Sequence, residues 1–171
     1  KAKALEKLSK FSVMIGYPDT WRDYSALTLK DGDLYGNVQR ANRFEWDRNL
    51  ARMNGPVDRM EWGMTPATVN AYYSPTKNGI VFPAAILQPP FFNANADAAY
   101  NYGAIGAVIG HEISHSFDDQ GAQFDATGKL ENWWTPEDFA HFKTAADQLV
   151  EQFNGYKPFP DLAVNGRQTL S

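Results

Sequence analysis

The stretch Asn101-Tyr-Gly-Ala-Ile-Gly-Ala-Val-Ile-Gly-His-Glu-Ile-Ser-His115 decides how this 171-residue sequence is interpreted. It holds two of the three histidines, His111 and His115, with Glu112 directly after the first. Side chains four residues apart lie on one face of a helix, so both imidazoles should point the same way. A helix is predicted because apolar residues recur at steps of three and four, namely Tyr102, Ile105, Ile109 and Ile113.

Two histidines at this spacing can bind one metal ion from the same side of a helix. The glutamate after the first then lies close enough to act on a metal-bound water, which is the arrangement of zinc peptidases. We therefore expect His111 and His115 to be metal ligands, with Zn²⁺ as the cofactor and Glu112 as the catalytic base. The alternative is a pair of exposed histidines on an ordinary helix, because a motif match alone is a hypothesis.

Three glycines, Gly103, Gly106 and Gly110, lie within the same predicted helix. A glycine inside a helix costs about 1 kcal/mol relative to alanine. We therefore expect another backbone to approach the helix closely along these positions.

Polar residues mark both ends of this helix. Asn95 or Asp97 can cap its start. The helix should end near Asp118 and Asp119, with Gly121 available for a left-handed cap. Carboxylates at a helix C-terminus oppose the macrodipole, so the two aspartates are expected to orient a ligand histidine by accepting its second N–H. A solvated helix end is the alternative.

The composition is that of a soluble globular protein, with 43% apolar and 21% charged residues. The net charge of −4 comes without a basic block, so nothing suggests nucleic acid as a partner. The absence of cysteine excludes disulfides, thiolate catalysis and cysteine-ligated zinc. Because the chain begins without methionine and stops in a loop-like passage, we expect both ends to be cuts in a longer polypeptide.

The remaining patterns predict an α+β fold that is mostly α. Helices are expected over residues 1–10, 34–53 and 136–153, the first with Ala4, Leu5 and Leu8 on its packed side. Residues 68–73 and 80–82 have strand composition and can form a hairpin, with Pro83 restricting the second strand to an edge or a terminus. An edge strand beside a metal can bind an extended peptide through main-chain hydrogen bonds.

A catalytic zinc usually has three protein ligands and a water, so one ligand is still required. The glutamates soon after the motif are Glu131, in a predicted loop, and Glu137, in a first helical turn where helix capping explains it. We therefore expect the third ligand to lie outside this chain.

Three segments, residues 69–73, 80–92 and 101–119, resemble the neprilysin family of zinc peptidases. The resemblance implies that His111 and His115 bind zinc and that Glu112 is the general base. It also implies that Asn70 and Ala71 hold the substrate backbone. The apolar pocket for the side chain after the scissile bond is implied to contain Ile86, Phe91 and Val108.

The resemblance further implies that residues 1–171 are part of one thermolysin-like zincin catalytic domain, truncated at both ends, with a short edge-strand hairpin beside the motif helix. The expected activity is zinc-dependent hydrolysis of short peptides on the amino side of bulky apolar residues, with little activity in this piece alone. Its partners would be peptide substrates and the remainder of its own polypeptide. An extracytoplasmic location is favoured, whether periplasmic, secreted or as a membrane-anchored ectodomain. The alternative is a non-catalytic metal-binding or interaction module.

Overall fold

The computed structural model describes residues 1–170 as mostly helical with one small mixed sheet. This architecture confirms the predicted fold class. Two short 3₁₀ turns, Ala84–Ile86 and Gly121–Gln123, complete the regular structure. The helices are α1 (Ala2–Ser9), α2 (Leu34–Arg52), α3 (Ala98–Gly103), α4 (Ile105–Ser114) and α5 (Pro136–Asn154), and the strands are β1 (Ser12–Gly16), β2 (Tyr72–Ser74) and β3 (Gly79–Pro83).

The chain divides into two compact units, residues 18–61 and the remainder. The smaller unit contains α2, whose predicted start is confirmed because the Asp33 carboxylate accepts a hydrogen bond from the Gly36 amide at 2.9 Å. Arg40 pairs with the same carboxylate at 2.9 Å. The larger unit contains the sheet, the other helices and both motif histidines.

The sheet has the order β1-β3-β2, with β3 in the centre. The predicted hairpin is confirmed, since β2 runs antiparallel to β3 with Tyr72 opposite Val81. Pro83 ends β3, as its missing N–H requires. All five residues of β3 are buried, so this strand is the core of the sheet rather than its edge.

Strand β1 was not predicted, because its partner β3 lies far along the chain and such pairing leaves no local turn signal. It pairs in parallel with β3, from Ser12 opposite Gly79 to Gly16 opposite Pro83. The approach is so close that a Cβ on Gly79 would lie 2.0 Å from Ser12 Oγ, which explains the glycine.

The packed side of α1 also differs from the prediction. Leu5 and Leu8 are 56% and 39% exposed, whereas Lys7 is only 1% exposed. The buried face of α1 therefore carries a lysine, because the surface that it meets includes three backbone carbonyl groups that accept hydrogen bonds from its ammonium.

The motif stretch forms two helices rather than the single predicted one. Helix α3 begins at Asp97, whose carboxylate accepts a hydrogen bond from the Ala99 amide at 2.7 Å, and this selects Asp97 over Asn95 as the cap. The chain then breaks at Ala104, with φ −94° and ψ −92°, before α4 begins. The two helices pack against each other, and α4 contains His111 and ends at Ser114, with His115 as its C-cap residue.

The expected close packing along the glycines is wrong for the described residues. A Cβ added to Gly103 or Gly110 would meet no atom within 4 Å. At Gly106 the nearest atom would be the Asn101 carbonyl oxygen at 3.5 Å, an ordinary contact. Within residues 1–170, therefore, tight packing by another backbone does not account for these glycines.

The core joins the start of α4 to the sheet. Its buried members are Ala71, Ile80, Phe82, Ile86 and Ile105, with Val108 and Ile113 of α4 packed against them. One side of α4 is thereby fixed to the sheet, which leaves the histidine side facing outward.

Phe82→Ala is expected to lower the free energy of unfolding of the whole protein by about 3–5 kcal/mol, because a buried aromatic side chain is lost and a cavity remains. Urea denaturation measures this change. Val13→Ala, at a 54% exposed position of β1, is the control and should change it by less than about 1 kcal/mol. Similar losses in both variants would contradict the assignment of Phe82 to the core.

Candidate functional site

The two motif histidines converge at the C-terminal end of α4. Their Nε2 atoms are 3.0 Å apart, and their ring centroids are 4.4 Å apart. In tetrahedral zinc sites the metal–nitrogen distance of 2.0–2.1 Å separates two ligand nitrogens by about 3.3 Å. The observed spacing of His111 and His115 therefore fits two imidazoles that share one ion.

Asp118 determines which nitrogen of His115 is free to bind a metal. Its Oδ2 lies 2.6 Å from His115 Nδ1. A neutral imidazole that donates from Nδ1 to a carboxylate keeps an unprotonated Nε2, whose lone pair is the metal-binding group. His115, which was predicted to be the second metal ligand, thus has a partner that sets its tautomer.

The backbone after α4 holds the Asp118 carboxylate in place. Its Oδ1 accepts hydrogen bonds from the amides of Gln120 and Gly121 at 2.9 and 2.7 Å. A Cβ on Gly121 would lie 1.8 Å from the His115 carbonyl oxygen, so this close turn requires glycine. Gly121 is therefore needed for close approach, not for the left-handed helix cap predicted from the sequence, and α4 itself ends earlier, at Ser114.

Asp119 lies in a different environment from Asp118. Its Oδ2 is 3.4 Å from the Gln120 side-chain amide, and its Oδ1 is buried without a hydrogen-bond partner among the described residues. Of the two predicted carboxylates, the structure brings Asp118 to a histidine and leaves Asp119 directed elsewhere.

Glu112 is buried, with 5% exposure, although its neighbours on α4, His111 and Ile113, are exposed and half-buried. It lines the same cavity as both histidines, a space of about 490 Å³. The predicted substrate-backbone residues Asn70 and Ala71 line that cavity too. The cavity therefore brings together Asn70, Ala71, His111, Glu112, His115 and Asp118.

The three predicted pocket residues lie together but apart from this cavity lining. Ile86 is 3% exposed within the core cluster, and Phe91 and Val108 are partly buried against it. Their predicted role in side-chain recognition stays a prediction.

Two buried polar residues, Lys7 and Asn78, were not predicted from the sequence. Asn78 turns the β2–β3 hairpin with φ +45° and donates from its side chain to the carbonyls of Lys7 and Ala126. The burial of Lys7 could have been inferred from its spacing in the sequence. It lies three residues after Ala4 and four before Phe11, which are both partly buried. Hydrophobic periodicity overlooks such a residue because lysine is counted as polar.

Within residues 1–170 no group of three or more histidine, cysteine, aspartate or glutamate side chains could hold a metal ion together. The described chain therefore supplies the two imidazoles as its metal-binding groups. Their spacing, the Asp118 contact and the adjoining cavity fit a zinc ion.

Comparison with known proteins identifies similar chains. Residues 70–171 match the model described as Peptidase family M13. Neprilysin-3 of Drosophila melanogaster is 42% identical over 99% of this chain and 22% of its own length. The neutral endopeptidase of Lactococcus lactis subsp. cremoris is 44% identical over 90% of this chain and 25% of its own.

A solved structure agrees with these matches. The Mycobacterium tuberculosis zinc metalloprotease ZMP1, crystallised with an inhibitor, superposes with a TM-score of 0.93 and 55% identity. The match covers 99% of this chain and 27% of that protein. The present chain thus spans about a quarter of the length of the proteins that it resembles.

Asp118→Asn is expected to weaken zinc binding about 10–100-fold. The asparagine oxygen would stay on the Gln120 and Gly121 amides, so its NH₂ group would face His115 Nδ1 and favour the tautomer that carries the proton on Nε2. Competition with a chelator measures the affinity. Asp119→Asn is the matched control and should leave it nearly unchanged; equal losses in the two variants would contradict the assignment to Asp118.

Proposed function

Because this chain belongs to peptidase family M13, we propose that it contributes two zinc ligands and the general base of a zinc-dependent endopeptidase. The family membership agrees with the neprilysin-like resemblance predicted from the sequence. The observation that carries the proposal is the convergence of two imidazole nitrogens, 3.0 Å apart, beside the buried carboxylate of Glu112.

The ligands in this chain are His111 and His115. Zinc held by them and by a third ligand would polarise the scissile carbonyl and lower the pKa of the attacking water. His115 is kept in the binding tautomer by Asp118 at 2.6 Å. We assign the third ligand to the remainder of the polypeptide, since the described residues offer two imidazoles and no larger group.

Glu112 acts as the general base in this proposal. Its carboxylate takes the proton from the attacking water and passes it to the leaving amine, a transfer that requires a group within hydrogen-bond reach of both. Its place in the wall of the histidine cavity supports this role. Positioned acid–base groups of this kind accelerate reactions about 10²–10⁴-fold.

Peptide substrates would bind along β2, which is an edge strand in the described sheet. Asn70 and Ala71 precede this strand and line the cavity, so they lie where an extended peptide added to this edge would pass. In the structure the Ala71 amide donates to Asn70 Oδ1 at 2.9 Å. Ala71 is buried in the same core cluster as Ile105 of α4, so the residue just before this edge strand packs with the motif helix.

The proposed substrates are short peptides cut on the amino side of bulky apolar residues. Ile86, Phe91 and Val108 would form the pocket for that residue, and their apolar side chains already meet at the core cluster. Residues 1–171 would be part of one catalytic domain, with little activity by themselves. The names of the matched relatives, an endopeptidase and a metalloprotease, support a peptidase.

Among the described residues, none of the helices could serve as a membrane-spanning segment. We propose an extracytoplasmic location for the whole protein, as a periplasmic, secreted or membrane-anchored ectodomain, in keeping with the neprilysin-like resemblance.

Glu112→Gln in the whole protein is expected to lower kcat about 10²–10⁴-fold, because the amide cannot accept the proton from water. The zinc content by elemental analysis should stay the same. Glu131→Gln, at an exposed glutamate paired with Lys129, is the matched control and should retain activity. An active Glu112→Gln variant would exclude this residue as the base, and a zinc-loaded wild-type protein that cleaves no peptide would favour a non-catalytic metal-binding module.

A further inference from the structure

Lys7 is almost completely buried, with 1% exposure, although it lies near the start of the chain on a short helix. Its ammonium group donates three hydrogen bonds to backbone carbonyls, at 2.7 Å to Ser116, 2.8 Å to Gly121 and 2.6 Å to Phe124. An ammonium has three N–H donors. All of them are therefore used, and all on one segment more than 100 residues away in sequence.

The segment that Lys7 binds is the turn after α4, residues 116–124. This turn contains Asp118, and its amides at Gln120 and Gly121 hold the Asp118 carboxylate. The Lys7 contacts at Ser116 and Gly121 lie on either side of Asp118 along the chain. The ammonium therefore clamps both ends of the short backbone loop that presents Asp118 to His115.

Burying a cation is energetically unfavourable, since removal from water penalises the charged form. The rings of Tyr73, Phe117 and Trp133 surround the ammonium at 6.0, 5.7 and 5.7 Å, and their faces offset part of that penalty. Burial lowers the pKa of Lys7 to about 8, opposed by the carboxylates of Asp125 and Asp118. At pH 7 the group is still mostly protonated and has its three donors.

The carbonyl groups of the turn require a hydrogen-bond donor at the position of the Lys7 ammonium. A side chain of equal volume without N–H groups would leave carbonyl oxygens facing aromatic rings, and an unsatisfied buried acceptor is destabilising. The Phe124 carbonyl also accepts from Trp133 Nε1, so this oxygen has a second partner. The largest consequence of losing Lys7 should therefore fall on Ser116 and Gly121, next to the Asp118 loop.

We propose that Lys7 is a positioning residue for the zinc ligand His115, acting through the backbone turn that carries Asp118. The inference rests on the proposed function, because it assigns Lys7 to the support of that metal site. The three hydrogen bonds of Lys7 go to backbone carbonyls and none goes to a histidine, and Lys7 meets the cavity lining at the Gly121 carbonyl and the Tyr73 ring. Its effect should appear as a change in metal affinity larger than the change in stability would explain.

The test compares Lys7→Met with two controls in the whole protein. Lys3→Met removes an exposed lysine from the same helix, at 70% side-chain exposure. Val150→Ala destabilises the protein at a buried position of α5, which is not part of the turn or the cavity. For each variant, chelator competition gives the zinc dissociation constant and thermal unfolding of the zinc-free protein gives Tm.

Lys7→Met should raise the zinc dissociation constant about tenfold, whereas Lys3→Met should leave it unchanged. Val150→Ala should lower Tm without changing the zinc constant. If Lys7→Met lowers Tm and leaves zinc affinity at the wild-type value, Lys7 is merely structural and the proposal is overturned. If Lys7→Met does not fold, Lys7→Gln, which keeps an amide with two donors, is measured in the same way with the same two outcomes.

His111→Ala separates this inference from the proposed function. Loss of zinc affinity in His111→Ala together with an unchanged constant in Lys7→Met would refute only the role of Lys7. Unchanged zinc affinity in His111→Ala would refute the metal site itself, whatever Lys7→Met does.

Discussion

The orientation of one imidazole ring, that of His115, is the constraint on which the rest of the site depends. Two Nε2 atoms 3.0 Å apart can share a metal ion only if both present a lone pair. For His115 this requires the ring proton to stay on Nδ1, where the Asp118 carboxylate lies at 2.6 Å. Because a neutral imidazole can exchange tautomers readily, the position of that carboxylate matters as much as the position of the ring.

The backbone around Asp118 fixes the position of this carboxylate. Helix α4 ends at Ser114, and the chain turns sharply enough that only glycine fits at position 121. Two amides of the turn hold one carboxylate oxygen, and Lys7 holds the carbonyls on either side. A second layer of contacts of this kind orients the metal ligands before the metal binds, so little reorganisation is needed on binding.

Local patterns predicted the parts of this structure that depend on neighbours in sequence. The hairpin, the helical character around His111, and the start of α5 follow from turn residues, periodicity and caps. The Thr135 side chain accepts a hydrogen bond from the Asp138 amide at the start of α5. Contacts over long sequence distances were not predictable in this way. The parallel pairing of β1 with β3 and the burial of Lys7 both depend on which segments meet in the fold. The choice between Asp118 and Asp119 depends on the direction of a turn, which composition does not encode.

The most direct measurement is anomalous diffraction at the zinc absorption edge from crystals of the whole protein. We expect one anomalous peak at about 2.0–2.1 Å from the Nε2 atoms of both His111 and His115, with His115 Nδ1 still facing Asp118. A peak at a different place, or ligation of His115 through Nδ1, would contradict the assignment of this helix as a metal-binding element.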